Sequence, residues 1–275
     1  MISAERWAAY NRACANVTDK AKAETAARLL AWMASNDYDV SQAREAAKAI
    51  ADGVLAESAR DASALAAEWY DSEAKRAGAK LPHALTVSVG EQAAESLDAT
   101  ARYKAAHLAD GDKDAFAQAM GEWVEYQAKK ALNDTIMSNC RRDAKKGVRY
   151  ARVTSGVNTC GFCLMLASRG AVYHSRETAG ELGKFHYHCS CKIVPSWSTD
   201  ARAELVEGHS PKLEAAKWAV VQDVQAAFTG KAREKANEIV QDRWESQGFM
   251  DYGEIMASLT AEERGELESL ASTAE

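Results

Sequence analysis

Arg152-Val-Thr-Ser-Gly156-Val-Asn-Thr-Cys160-Gly-Phe-Cys163 opens the stretch on which the reading of this chain turns. It continues Leu164-Met-Leu-Ala-Ser-Arg-Gly170-Ala-Val-Tyr173 and closes with Phe185-His186-Tyr-His188-Cys189-Ser-Cys191 and Pro195-Ser-Trp197. Four of the six cysteines and three of the six histidines fall inside it. A Cys-x-x-Cys pair followed by a His-x-His-Cys-x-Cys cluster gathers sulfur and imidazole donors from two short segments. Zinc takes such a set tetrahedrally and makes no redox demands. The candidate ligands are Cys160, Cys163, His186, Cys189 and Cys191, four of which would fill the shell of one structural ion. In an extended segment alternate side chains share a face, so Cys189 and Cys191 point one way and His186 and His188 the other. That favours four thiolates, whereas a turn at residues 186–188 would bring His186 into the shell. Both shells stay open at this point.

The same residues carry a family resemblance. Cys160-Gly-Phe-Cys163, then Ala167-Ser168-Arg169-Gly170-Ala-Val-Tyr173, then His186-x-x-Cys189-x-Cys191 resemble the C-terminal motif of MuF-like minor head proteins. These are the head-morphogenesis proteins of tailed bacteriophages, and the versions from phages of actinobacteria are the most similar. The close match is confined to this stretch. The resemblance implies a phage minor capsid protein, incorporated into the procapsid near the portal and lying inside the virion head, with the host cytoplasm as the place of assembly. It implies portal protein and major capsid or scaffold protein as partners. It also implies a histidine at the position of His186.

Composition sets the limits around this centre. A chain of 275 residues with 47% apolar residues, 27% charged residues and only 3 prolines is composed like a folded globular protein. Alanine supplies much of the apolar share, which favours helices with thin, close interfaces. A net charge of −6 gives no whole-chain attraction for nucleic acid. No apolar run approaches a membrane span, and Met1-Ile-Ser-Ala-Glu-Arg6 lacks the regions of a signal peptide, so no membrane contact is expected. In a reducing cytoplasm, paired cysteines read as metal ligands before disulfides.

Upstream, the periodicity suggests four helices over residues 1–75. Trp7, Tyr10, Cys14 and Val17 share one face, and Thr18 or Asp19 caps a second helix carrying Ala26, Leu29 and Met33. After a turn at residues 36–39, a third helix aligns Ala46, Ile50 and Val54, and a fourth aligns Leu65 and Trp69. Cys14 reads as a small core residue. Gly78, Pro82 and Gly90 interrupt the pattern, and Leu85-Thr-Val-Ser-Val89 reads equally as a short strand or an extended connector. Residues 91–109 read as a weakly amphipathic helix. A long helix then runs from Asp112 toward Gly147 with Phe116, Met120, Trp123, Ala131, Ile136 and Cys140 as its apolar stripe. Downstream, Lys212 to Trp244 reads as helix interrupted at Gly230, and the tail is acidic.

Between Arg141 and Arg152 stand six basic residues and one acid, Asp143. A solvated helix C-terminus is the plainer account of Arg141, Arg142, Lys145, Lys146, Arg149 and Arg152, since cations favour that end of the dipole. Contact with DNA phosphates or an acidic surface is the competing one.

Enzyme classes fare poorly on the residues. A zinc deaminase needs His-x-Glu before Pro-Cys-x-x-Cys, which neither His174 nor His186 supplies. Ser155, Ser168 and Ser190 carry no nucleophile elbow. A head-maturation protease or a zinc-dependent nuclease, the latter with His188 as base, is the alternative function. No catalytic residue is expected, and a metal staple explains the cysteines in so small a domain. The expected fold is mainly α: a helical portal- and capsid-interaction region over residues 1–147, a small α+β zinc-stapled domain over 148–210, and a long C-terminal helical region over 211–275.

Overall fold

Ser3 turns the chain into its first helix, its hydroxyl accepting the Arg6 amide, and α1 then runs unbroken over Ala4–Ser35. The structure is a computed structural model that describes residues 1–89, 91–155, 161–173 and 191–272. Asp39 and Gln42 form a capping box that starts α2 (Val40–Arg76). Two long helices therefore stand where the periodicity suggested four. Thr18 does not cap; it is buried inside α1, where its hydroxyl bonds back to the Ala15 carbonyl. On α2 the buried row is Ala43, Ala47, Ala51 and Val54, while Ala46 and Ile50 are only half-buried. The bulky residues misplaced that face, because alanines line the tightest contact.

Helices α3 (Glu91–Lys104) and α4 (Ala106–Ala109) lead to α5 (Lys113–Arg142), whose first turn is capped by Asp112. All six residues of the expected α5 stripe are buried. Helix α5 packs on both α1 and α2. Lys22 pairs with Glu122 and Glu125, and Arg6 pairs with Glu73, so α1 runs against the other two. At Gly121 an added Cβ would sit 2.6 Å from the Lys22 carbonyl oxygen, a measure of how closely α1 and α5 approach. The Tyr70 hydroxyl donates to Asp143 at 2.9 Å, which places the C-terminal ends of α2 and α5 together.

Residues 77–89 form an extended connector outside helix and strand. It is held by side chains where a sheet would use backbone. Asn139 accepts the Leu85 amide at 2.9 Å and donates to the Leu85 carbonyl at 2.8 Å. Thr135 accepts the Val87 amide, and the Ser63 hydroxyl donates to the Val87 carbonyl.

Gly147, at φ +83, ends the α5 region and releases the chain into β1 (Arg149–Val153). This strand pairs antiparallel with β2 (Lys192–Ser196), Tyr150 facing Pro195 and Arg152 facing Ile193. Tyr150 uses its own amide and carbonyl on the opposite side, with Tyr173. Pro195, which has no amide hydrogen, therefore stands where the ladder requires none.

The short helix α6 (Gly161–Ala167) follows β1, and α7 (Pro211–Ala227) packs against it. Beyond lie α8 (Gly230–Gln247), α9 (Tyr252–Ala257) and α10 (Ala261–Ser272), which share a second core of Val220, Val224, Ala236, Ile239, Ile255 and Leu267 among others. The break before Gly230 falls where the sequence suggested it, the glycine adopting φ +53. The main core, by contrast, extends from Ile2 to Val206. Ile2 donates to the Leu205 carbonyl at 2.7 Å and accepts the Glu207 amide at 3.0 Å, so the chain's start pairs with the loop before α7. The fold is mainly helical, with one two-stranded sheet among the described residues, and none of the described helices is long and apolar enough to cross a membrane.

Candidate metal centre

Helix α6 delivers Cys163 and the residue just before β2 is Cys191, both buried, with their Sγ atoms 3.4 Å apart. Two thiolates on one tetrahedral zinc, each at about 2.3 Å, stand roughly 3.8 Å apart, so this pair has nearly that span. Arg152 approaches from β1, 4% exposed, with Nη1 donating to Cys191 Sγ at 3.4 Å. A guanidinium at that distance favours the thiolate form a metal requires. On the other flank Asn133 of α5 holds the backbone on either side of Lys192: its Oδ1 accepts the Ile193 amide at 2.8 Å and its Nδ2 donates to the Cys191 carbonyl. The donor chemistry and spacing of the two cysteines therefore fit a zinc ion.

Cys160, His186 and Cys189, with His188, lie outside the described residues. Among the described residues no set of three metal-capable side chains converges. In the chain, Cys160 directly precedes Gly161, and Cys189 stands two positions before Cys191. Cys14 and Cys140 are buried, and burial raises both thiols, in keeping with small core residues.

The surrounding motif residues have local physical roles. Gly170 adopts φ +71, and an added Cβ would meet the Ala201 carbonyl oxygen at 2.2 Å. That carbonyl accepts the Ala171 amide at 2.7 Å, which turns the chain toward Tyr173 and its bridge to β1. Gly161 is not in the left-handed conformation. It opens α6, and an added Cβ would stand 2.9 Å from Val221 Cγ1, so it allows close contact with α7. Burial raises the Tyr173 phenol while the hydrogen-bonded Arg169 guanidinium works the other way, which gives Arg169 a tyrosine partner.

Beside the thiol pair lies a polar cluster that sequence reasoning missed. Glu214, 2% exposed in the first turn of α7, accepts the Thr154 hydroxyl at 3.0 Å and faces His209 Nδ1 at 3.3 Å. Its Oε2 has no hydrogen-bond partner among the described residues. Lys192 Nζ donates to the Ser155 hydroxyl at 3.3 Å. The only sequence signal was a helix start at Ser210-Pro211, which says where Glu214 sits along a helix and nothing of its burial.

The basic run divides. Arg152 turns inward to Cys191. Arg142 pairs with Asp143 and donates to the Pro82 and His83 carbonyls, and Lys146 reaches the Lys80 carbonyl. Arg141 and Lys145 remain exposed, and Arg149 is half-buried.

A family model described as VG15 protein matches residues 1–221, which span the helical bundle, the ribbon and the thiol pair. The chain belongs to that family, a family of phage (viral-gene) proteins. No curated protein and no solved structure matches it.

Proposed function

Taking that membership as premise, we propose that the chain is a phage minor capsid protein of MuF-like type, built into the procapsid near the portal and acting by binding. The observation that carries this reading is the extent of the family match: it takes in the bundle, the ribbon and α6 as one unit. The motif residues that suggested head morphogenesis then fall at the points that hold this unit together, Gly170 at its tight turn and Cys163 and Cys191 facing each other. The long α1–α2–α5 bundle offers an elongated surface to portal protein and to major capsid or scaffold protein.

Cys163 and Cys191, with two of Cys160, His186 and Cys189, would hold one structural zinc. The ion would supply a cross-link between the segments that enter α6 and β2. Arg152 and Asn133 would orient Cys191 for it. In this reading the metal staples and no residue performs turnover.

Quantitative mass spectrometry of purified procapsids and mature virions tests the proposal. The chain is expected in procapsids, and an asymmetric reconstruction should place it at the portal vertex. Its absence from both particles would overturn the reading.

A further inference from the structure

Helices α2 and α5 end side by side, and each carries its own basic residues there. The two runs are far apart in sequence, yet Lys146 Nζ lies 3.4 Å from the Lys80 carbonyl across 66 positions. Three acids at this end are engaged internally. Glu73 is held by Arg6 and Arg76, Asp143 by Arg142 and the Tyr70 hydroxyl, and Asp71 by His83 and the Ala84 amide. Lys75, Lys80, Arg141 and Lys145 are exposed, and none of their side chains has an ion-pair or hydrogen-bond partner among the described residues. The carbonyl ends of two helices take up part of this charge. What remains is still a concentrated positive surface on a chain whose net charge is −6.

We propose that this end of the bundle binds the phosphate backbone of duplex DNA, with Lys75 and Lys80 acting together with Arg141 and Lys145. Duplex DNA presents dense, regular negative charge that needs only cations to meet it. A protein partner draws much of its affinity from a desolvated centre enriched in aromatic anchors. The exposed aromatics among the described residues, Tyr103 and Phe249, lie on α3 and beyond α8, away from this end. The surface follows from charge and packing and does not rest on a location near the portal.

Full-length protein is titrated into a labelled mixed-sequence duplex, followed by fluorescence anisotropy between roughly 50 and 200 mM salt. Four neutralised phosphates should give a log–log slope of about −3.6, and Lys75→Gln/Lys80→Gln and Arg141→Gln/Lys145→Gln should each flatten it by about 1.8. Lys75→Arg/Lys80→Arg should restore the slope. Lys231→Gln/Arg233→Gln on α8 should leave it unchanged. Circular dichroism confirms that each variant keeps its helices. The proposal is overturned if either pair leaves the slope unaltered, if the α8 control flattens it equally, or if anionic lipid vesicles are bound while the duplex is not.

Discussion

The Asn133 side chain holds Ile193 as a neighbouring strand would, Oδ1 accepting the Ile193 amide at 2.8 Å. Arg152 faces Ile193 across the ribbon but, lying two residues from Tyr150, does not exchange ladder bonds with it. The Ile193 amide therefore points away from β1, toward α5. Asn139 treats Leu85 in the same way six residues later on the same helix. Helix α5 thus covers two extended edges with amide side chains and leaves neither open.

Replacing each amide separates its role. Asn139→Leu leaves the Leu85 amide and carbonyl without their partner and should lower stability by about 2 kcal/mol, read from urea unfolding. Zinc content should not change. Asn133→Leu should cost a similar amount and also weaken zinc retention about 10- to 100-fold, because the Cys191 backbone loses its restraint. Equal zinc affinity in the two variants would show that Asn133 does not support the centre.

Metal analysis of the purified protein should find about one zinc per chain. Cys163→Ser or Cys191→Ser should abolish it and make residues 156–197 protease-sensitive while most helical circular dichroism survives. Acidification should release the ion, since the ligands must be thiolates. His186→Ala distinguishes the two shells: undiminished zinc means four thiolates, and a clear loss puts His186 in the shell. His188→Ala should be milder than either cysteine variant. Zinc-free protein with a protease-resistant segment would contradict the centre altogether.

Glycine substitutions should differ in sign. Gly121→Ala places a Cβ 2.6 Å from the Lys22 carbonyl oxygen and should destabilise by roughly 1–3 kcal/mol. Gly170→Ala should cost at least as much, since its φ of +71 adds strain to a contact of 2.2 Å. Gly53→Ala on α2 meets nothing within 4 Å and should stabilise by about 0.5–1 kcal/mol. Thermal unfolding of the three variants checks the order.

Asp143 should contribute an acid-sensitive part of stability. Burial alone would raise its carboxyl, but hydrogen bonds from Arg142 and Tyr70 prevail and hold it below the usual carboxylate range. A depressed folded value means stability that is present above the unfolded value near about 3.9 and lost as pH falls through the folded one. Asp143→Asn should flatten the urea midpoint between about pH 5 and pH 2 relative to the parent chain. An unchanged acid limb would remove Asp143 from the account.

The stripe of α5 was legible because large residues recur there at helical spacing with a capping aspartate in front. Helices α1 and α2 were legible as helix but not as single helices. Thr18 looks like a cap in sequence, yet a threonine hydroxyl can bond to its own helix, and only neighbouring packing decides. The inward face of α2 was obscured because alanine carries little weight in a hydrophobic pattern while filling the tightest contacts. Arg152 was counted with a surface run because charge order along the chain says nothing of side-chain direction once a strand begins. Cys163 and Cys191 lie together across 28 positions, while the other candidate ligands fall outside the described residues. Helices α1 and α2 do not complete a core between themselves: α5 packs on both as the third side.

The pairing of Ile2 with Leu205 and Glu207 bears on the order in which this protein matures. The Ala4 amide is likewise capped by the Glu207 carboxylate, 203 positions away. During synthesis α1 leaves the ribosome before α2, yet Ile2 and the Ala4 amide gain these partners only once residue 207 has followed. The α1–α2 pair can close early, but its third face waits for α5 and its first residues wait longer still. Loop closure over that distance delays the final contacts. A nascent chain of this kind holds an open alanine-lined seam from the completion of α2 until α5 has followed.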